Sequence, residues 1–453
     1  MTAVTAPPRV VSARRRNWSW LALLVILAIV MGASVVTSSQ LLALILPGMV
    51  GVLVLVAMVL RLTDFFDDED ALRRVMWWTM VSFGAHLLVG LLITNVGPLR
   101  GYLGPDSLGY HAGAVDIVQH WRLDYPLPDL PSGKEGFFYA LAGLYWLVGT
   151  EPTAGLVMNA TLAAAMVPLM ADLTNRLAGP RAAHKIPPLL VLLPGLMLWP
   201  SQLLREAGML FLLVLVANLG VRLSERVTVP SLLGLVVSIA VMLTFRGYIA
   251  VVVAGTVLCG VALSKRHLLA GVGTAISAVL IGSILVLSFG LGYAGYQTAV
   301  NANLQQANIV RQGLSVSVAS GYASDVDVSN SGAAITYLPR GLTSFMLGPF
   351  PWQIRGVRQL PALPDVIVWW YLLPMLWRGC QVARREGERR AYVLLLPALG
   401  VASVLGLILA NYGILVRERT QVVVLLLPLI AWGLADRARE REQPGYLAGQ
   451  AAT

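Results

Sequence analysis

The chain has 453 residues, 57% of them hydrophobic and only 12% charged. A soluble globular domain carries about 25% charged residues; half that value, with a mean hydropathy of +0.73, excludes a soluble fold and places the chain in a bilayer. The formal charge of +10 fits cytoplasmic loops, where excess Lys and Arg orient a polytopic protein, and not a nucleic-acid surface.

The N-terminus, MTAVTAPPRVVSARRRNW, places Arg14, Arg15 and Arg16 directly before an apolar run, which reads as an uncleaved signal anchor with its N-terminus inside. Apolar segments follow one another at roughly 18–36, 40–60, 75–96, 136–149, 153–173, 186–200, 207–221, 229–245, 247–263, 268–292, 364–377, 391–412 and 421–435. The bilayer offers the backbone no water, so the long ones must be helices. The predicted fold is an all-α polytopic membrane protein of about 11–13 transmembrane or re-entrant helices.

Orientation follows from charge. The basic segments 61–74, 175–185, 221–226, 264–267, 378–390 and 436–442 fall on one side if 136–149 does not cross. Its FFYALAGLYWLVG is short for a span and reads as re-entrant or interfacial. The other side then receives 97–135, 199–208, 245–248, 293–363 and 414–420. The expected organisation is a basic cytoplasmic N-terminus (1–17), a transmembrane core (18–292) with outer loop 97–135, an extracytoplasmic segment (293–363), C-terminal transmembrane helices (364–435) and a cytoplasmic tail (436–453). Such a chain is a multi-pass protein of the inner or plasma membrane with both termini cytoplasmic.

Residues 101–121, GYLGPDSLGYHAGAVDIVQHW, form the most polar stretch of the first half. PDS is a helix start at which Asp106 caps the first turn. The helix that follows collects Leu108, Val115 and Val118 near one face, with Tyr110, Ala114 and Ile117 beside them, as a helix lying flat on the membrane would. Asp116 and His120 are four apart, the spacing of a solvated helical pair and a weak pair of metal ligands. His111 is either an interfacial side chain or a sugar or phosphate contact.

Between 293 and 363, the Ser/Asn/Gly/Asp-rich residues 315–332 predict a loop, and ITYLPRGLTSFMLGPFPW predicts an amphipathic interfacial helix. Arg205, Arg246, Arg417 and Arg419 each lie at the outer end of an apolar segment. A charge at membrane depth is costly unless paired or hydrated. Either these side chains snorkel and pair with Glu206 and Glu418, or their planar forks grip phosphate. Arg340, Arg355 and Arg358 would complete such a site or meet anionic headgroups. Cys259 and Cys380 give no disulfide framework, no His/Cys cluster has zinc spacing, and no P-loop, GxSxG or HExxH motif occurs.

The order of features around LVGTEPTAGLVMNATLAAAMVPLMADLTNRLAGPRAAHKIPPLLVLLPGLMLWPSQLLREAGMLFLLVLVANL — an early span, an acidic outer loop with an amphipathic helix, a short aromatic helix, then this run — resembles the C-type glycosyltransferase superfamily over roughly residues 75–250. Protein O-mannosyltransferases and lipid A aminoarabinose transferases share that order. The resemblance implies a polyprenyl-phosphate-linked sugar donor, a glycan, lipid or protein acceptor outside the cytoplasm, and no nucleotide cofactor. Asp106 takes the place of the loop carboxylate that acts as general base or orients the acceptor. Tyr110, His111, Arg205, Glu206, Arg246, Arg340, Arg417 and Arg419 are the candidate substrate-binding residues. The chain departs from the pattern in having Ser107 where a second acid is common. Its later half, with YLPRGLTSFMLGPFPW and NYGILVRERTQVVVLLLP, resembles membrane proteins of bacterial exopolysaccharide assembly. The alternatives are an arginine-dependent polysaccharide polymerase or ligase, a flippase for lipid-linked glycans, and an assembly subunit.

Overall fold

The protein is described here by a computed structural model that covers residues 38–63, 66, 69–131, 133–265, 273, 303–316, 320–354, 360 and 362–442. The expected anchor at 18–36, most of the segment at 268–292, and Arg355 and Arg358 lie outside the described residues.

The described chain is helical, and the fold is that of an all-α polytopic membrane protein. Its helices are α1 (Ser38–Leu62), α2 (Glu69–Asn95), α3 (Asp106–Leu123), α4 (Glu135–Val148), α5 (Pro152–Ala183), α6 (Ile186–Leu192), α7 (Pro194–Leu198), α8 (Glu206–Glu225), α9 (Val229–Ser264), α10 (Leu304–Val316), α11 (Ser331–Leu347), α12 (Ala362–Arg385), α13 (Tyr392–Ile408) and α14 (Tyr412–Glu442). Among the described residues, six helices are long and apolar enough to cross a bilayer. The 14 residues of α4 span only ~21 Å at 1.5 Å per residue, short of a hydrocarbon core of about 30 Å.

Three departures from the sequence reading have physical causes. The segment at 186–200 is not one helix. Leu193 is extended (φ −72°, ψ 119°), as the residue before a proline prefers, and Pro194 starts the separate helix α7. Residues 414–420, expected on the outer side between the apolar segments 391–412 and 421–435, belong to one helix with the second of them, because α14 runs unbroken from 412 to 442. Leu108 does not share the packed face of α3: it is exposed, and the buried stripe is Tyr110, Ala114, Ile117 and Val118.

Helix α9 contains one non-helical residue, Arg246 (φ −161°, ψ 82°). Its two arms lie side by side along α8. A Cβ on Gly234 would touch Leu219, a Cβ on Gly220 would touch Val257, and Gly208, near the start of α8, meets Phe245. The chain therefore reverses at FRGY, as expected, and Arg246 sits at the tip.

Four of the basic segments expected on one side, 175–185, 221–226, 378–390 and 436–442, meet at one end of the bundle. There Glu225 bridges Arg176 (2.7 Å) and Arg390 (2.6 Å), and buried Asp172 accepts from Arg222 (2.7 Å) and Asn218 (2.8 Å). The ends of α12 and α14 are joined by Arg378 and Asp436 (2.6 Å). These helices cross closely because Gly379 and Gly433 face each other, and a Cβ on either would strike backbone of the other helix. The opposite end carries the site. The 303–347 segment is fixed on α13 by fully buried Arg311, which donates to the carbonyls of Leu407 (3.1 Å), Leu409 (3.3 Å) and Ala323 (3.2 Å) and to Tyr337 Oη (2.9 Å).

Candidate functional site

The site is assembled from short-range departures from helix. Pro105 sets φ −54° at the entrance to α3, and Gly104 N–H donates to Gln202 Oε1 at 2.7 Å. That bond lays the start of α3 on the irregular turn 199–205. Helix α5 holds the turn in place: Asn159 Nδ2 donates to the carbonyls of Gln202 (2.6 Å) and Leu204 (2.8 Å). Arg205 ends the turn and Glu206 opens α8, where the helix N-terminus favours a carboxylate. Gly136 lets the start of α4 lie against the tip of the α9 hairpin, because a Cβ there would come within 2.0 Å of Thr244 Oγ1. Lys134 immediately precedes α4.

At this junction Arg417 on α14 reaches three carboxylates. Its Nη1 is 3.2 Å from Asp106 Oδ2, and its Nε is 3.2 Å from Glu206 Oε1 and 3.7 Å from Glu418 Oε1. Arg246 lies 3.5 Å from Glu206 Oε1 through Nη2 and pairs with Glu418 Oε2 through Nη1. Gln421 Nε2 donates to the same Glu418 oxygen at 2.5 Å. Arg205 donates to the Phe245 carbonyl at 2.8 Å and makes no ion pair with a carboxylate among the described residues. Glu206, Glu418 and Arg246 are buried, whereas the Asp106 side chain is 41% exposed. A network of buried charges thus opens to solvent at one carboxylate.

Two further groups face this network. Tyr110 is buried with its ring edge-on to Phe137 (4.8 Å between centroids) and its hydroxyl without a hydrogen-bond partner. Burial pushes its phenol up; Arg205 and Arg246 oppose the shift and Glu206 and Asp106 add to it, so it is a neutral donor. Half-buried Lys134 makes no ion pair among the described residues. Burial pulls its ammonium down, as do Arg205, Arg246 and Arg417, and Asp106 opposes them. Lys134 is the site residue that the sequence reading missed. Its signal was a lone cation in PSGKEG, closing the polar loop directly before the aromatic helix.

The structure thus brings together Asp106, Tyr110, Arg205, Glu206, Arg246 and Arg417, and separates three other candidates. Arg419 is fully buried on a different face of α14, pairs with Asp365 (3.0 Å) and donates to the Gly348 carbonyl. Asp365 in turn accepts from Gly195 N–H at 2.9 Å. That constellation ties α14 to α12 and α7. Arg340 is exposed on α11. His111 turns toward the far end of α4, its Nδ1 3.0 Å from Tyr145 Oη; burial holds its pKa below the ordinary value, against the pull of Glu151.

The smaller expectations are also corrected. Asp106 makes no capping hydrogen bond at the start of α3; its carboxylate points to Arg417 instead. His120 does not pair with Asp116: its Nδ1 lies 2.5 Å from the Tyr125 carbonyl, just past the left-handed Asp124 that closes α3. Among the described residues, no group of three His, Cys, Asp or Glu side chains converges to hold a metal ion.

No family model matches the chain, and no curated protein matches its sequence. At the level of structure it is similar to the archaeal oligosaccharyltransferase AglB from Archaeoglobus fulgidus, solved in complex with an inhibitory peptide and a dolichol-phosphate. The TM-score is 0.51 at 12% identity, over 85% of this chain and 52% of that one. The chain therefore shares the membrane fold of that enzyme while spanning about half of its length.

Proposed function

We propose that the protein is a membrane glycosyltransferase that moves a sugar from a polyprenyl-phosphate-linked donor to an acceptor hydroxyl on a glycan, lipid or protein outside the cytoplasm. The observation that carries this reading is a half-exposed carboxylate, Asp106, held at the mouth of a buried cluster in which Lys134, Arg205, Arg246 and Arg417 converge. AglB, whose fold the chain shares, was solved with a lipid phosphate; a lipid phosphate among the cations and an acceptor at Asp106 suit this geometry.

In the proposed step the acceptor oxygen attacks the anomeric carbon while Asp106 removes its proton. The bond from that carbon to the phosphate oxygen breaks, and its electron pair stays on the phosphate. The guanidinium groups stabilise the charge that develops there. Arg417 couples the two halves of the step: protonation of Asp106 weakens its ion pair with Arg417 as the departing phosphate becomes more negative, so Arg417 is released toward the charge. A carrier is less well supported, because alternating-access transporters concentrate polar groups at the bilayer midplane and these charges lie at one end of the bundle.

The test is sugar transfer from radiolabelled polyprenyl-phosphate sugars to endogenous acceptors in membranes containing wild type, Asp106→Asn or Arg205→Ala at equal protein levels. Loss of a general base costs roughly 10²–10⁴ in rate. Transfer at the wild-type rate by both variants would overturn the proposal.

A further inference from the structure

The contacts that hold Asp106 in place and those that hold Arg205 and Glu206 run through one side chain. Gln202 is fully buried in the turn 199–205. Its Oε1 accepts from Gly104 N–H at 2.7 Å and its Nε2 donates to the Leu198 carbonyl at 3.4 Å, so the amide cannot turn over without losing both bonds. Asp106 stands two residues beyond Gly104, and the ring of Pro105 between them fixes φ (−54°). On the other side, Asn159 fixes the stretch that leads from Gln202 to Arg205. It is fully buried, and its Nδ2 donates to the carbonyls of both Gln202 (2.6 Å) and Leu204 (2.8 Å). The turn has no slack behind it: a Cβ on Gly90 of α2 would strike the Ser201 carbonyl oxygen, and one on Gly155 of α5 would strike Leu203. Gly104 is itself buried, with Leu204 3.0 Å from where its Cβ would stand.

Resting on the transferase reading, we infer that Gln202, held by Asn159, is a positioning residue: it sets the carboxylate that takes the acceptor's proton at a fixed distance from the cations that meet the leaving group. Gln202 spends its amide on protein backbone and takes no part in the chemistry. Its neutral amide supplies the acceptor that Gly104 needs without adding a charge to a turn that ends in Arg205 and Glu206. With that acceptor removed, the Gly104 N–H is buried and unpaired. Such orphaned donors are rare in folded proteins, so the start of α3 shifts until water reaches it. Asp106 moves with α3, while Arg205 and Glu206 stay with the turn that Asn159 holds. The two halves of the step then separate, and a misplacement of about 1 Å costs on the order of 100-fold in rate. The device joins three elements of the fold, α3, α5 and the start of α8, at the point where the proton acceptor and the cations must act together.

Gln202→Met keeps the length of the side chain and removes the acceptor. Initial rates of transfer from the same radiolabelled polyprenyl-phosphate sugars are measured over a range of donor concentrations, in membranes holding equal amounts of folded full-length protein. Hydrogen exchange of the Gly104 amide is followed in parallel by mass spectrometry and needs no substrate. The maximal rate is expected to fall about 100-fold, with the apparent KM for the donor within about threefold of wild type and Gly104 exchanging at least about tenfold faster. Gly379→Ala, a packing defect at the opposite end of the bundle, is expected to keep its maximal rate per folded protein within about twofold, which separates positioning from general loss of stability. If Gln202→Met does not fold, Asn159→Ser carries the test, with a fall in maximal rate of at least about tenfold at unchanged KM. A wild-type maximal rate in the folded variant, or an equal loss in Gly379→Ala, would overturn the positioning role and leave the transferase reading intact. Unchanged exchange at Gly104 would overturn the tether itself. Absence of transfer by the wild type would overturn the transferase reading, and the role of Gln202 with it.

Discussion

Replacing Glu206 by Gln removes one charge from the centre of the network with little change of shape. Its Oε1 lies 3.2 Å from Arg417 Nε and 3.5 Å from Arg246 Nη2, and all three side chains are buried or nearly so. At an effective dielectric of about 20, each contact corresponds to ~5 kcal/mol of gross attraction. Most of that is offset, because the variant no longer desolvates a carboxylate, Arg417 keeps Asp106 and Glu418, and Arg246 keeps Glu418. The net cost should fall at the lower end of the range for breaking a buried pair, about 3 kcal/mol. The assay is reversible unfolding in mixed detergent micelles. A cycle with Arg417→Gln isolates the pair: the double variant restores the charge balance and should be more stable than the sum of the single effects by roughly 1–2 kcal/mol. A Glu206→Gln protein within about 0.5 kcal/mol of wild type would refute the account of Glu206 as the counter-ion that holds the two arginines.

Three other outcomes are expected. Gly379→Ala would put a Cβ 1.9 Å from the Leu429 carbonyl, forcing α12 and α14 apart at a cost of about 2 kcal/mol, read in the same unfolding assay. His111 has a folded-state pKa below its ordinary 6.5 because it is buried. The unfolded chain then binds the proton more readily, so stability should fall as pH drops below about 6.5, and His111→Phe should flatten that slope in unfolding measured from pH 7.5 to 5. Arg419→Met removes the partner of Asp365 in the interior and should destabilise by roughly 3–5 kcal/mol; where it folds, its rate of sugar transfer per folded protein should stay within about twofold of wild type, since Arg419 takes no part in the cluster.

Much of this arrangement was legible in the sequence. Hydropathy located the six described helices that are long and apolar enough to cross a bilayer, and the parity of basic segments brought 97–135, 199–208 and 245–248 to one end, where Asp106, Arg205 and Arg246 in fact meet. FRGY could be read as a reversal because apolar runs of helical length flank it on both sides. The split between Arg417 and Arg419 was lost because both were grouped at the outer end of one apolar segment without the helical phase between them. Taken as helix, residues two apart point about 200° away from each other, which sends Arg417 to Asp106 and Arg419 to Asp365. Lys134 was lost because a single lysine in a Pro/Gly-rich loop looks solvated; only the packing of Gly136 on Thr244 draws it in. The break in 186–200 was announced by Pro194 and passed over in favour of hydropathy. Pairings such as Gly104 with Gln202 join residues about a hundred positions apart, and no local pattern carries them.

The account turns on where the donor's phosphate lies. A cryo-electron microscopy map of the full chain with a polyprenyl-phosphate sugar bound tests that directly. The account predicts phosphate density within hydrogen-bonding distance of Arg205 and Lys134, the lipid chain leading away into the bilayer, and the sugar's anomeric carbon facing Asp106. Phosphate density at the opposite end of the bundle, beside Arg176 and Arg390, or on α11 beside Arg340, would contradict it.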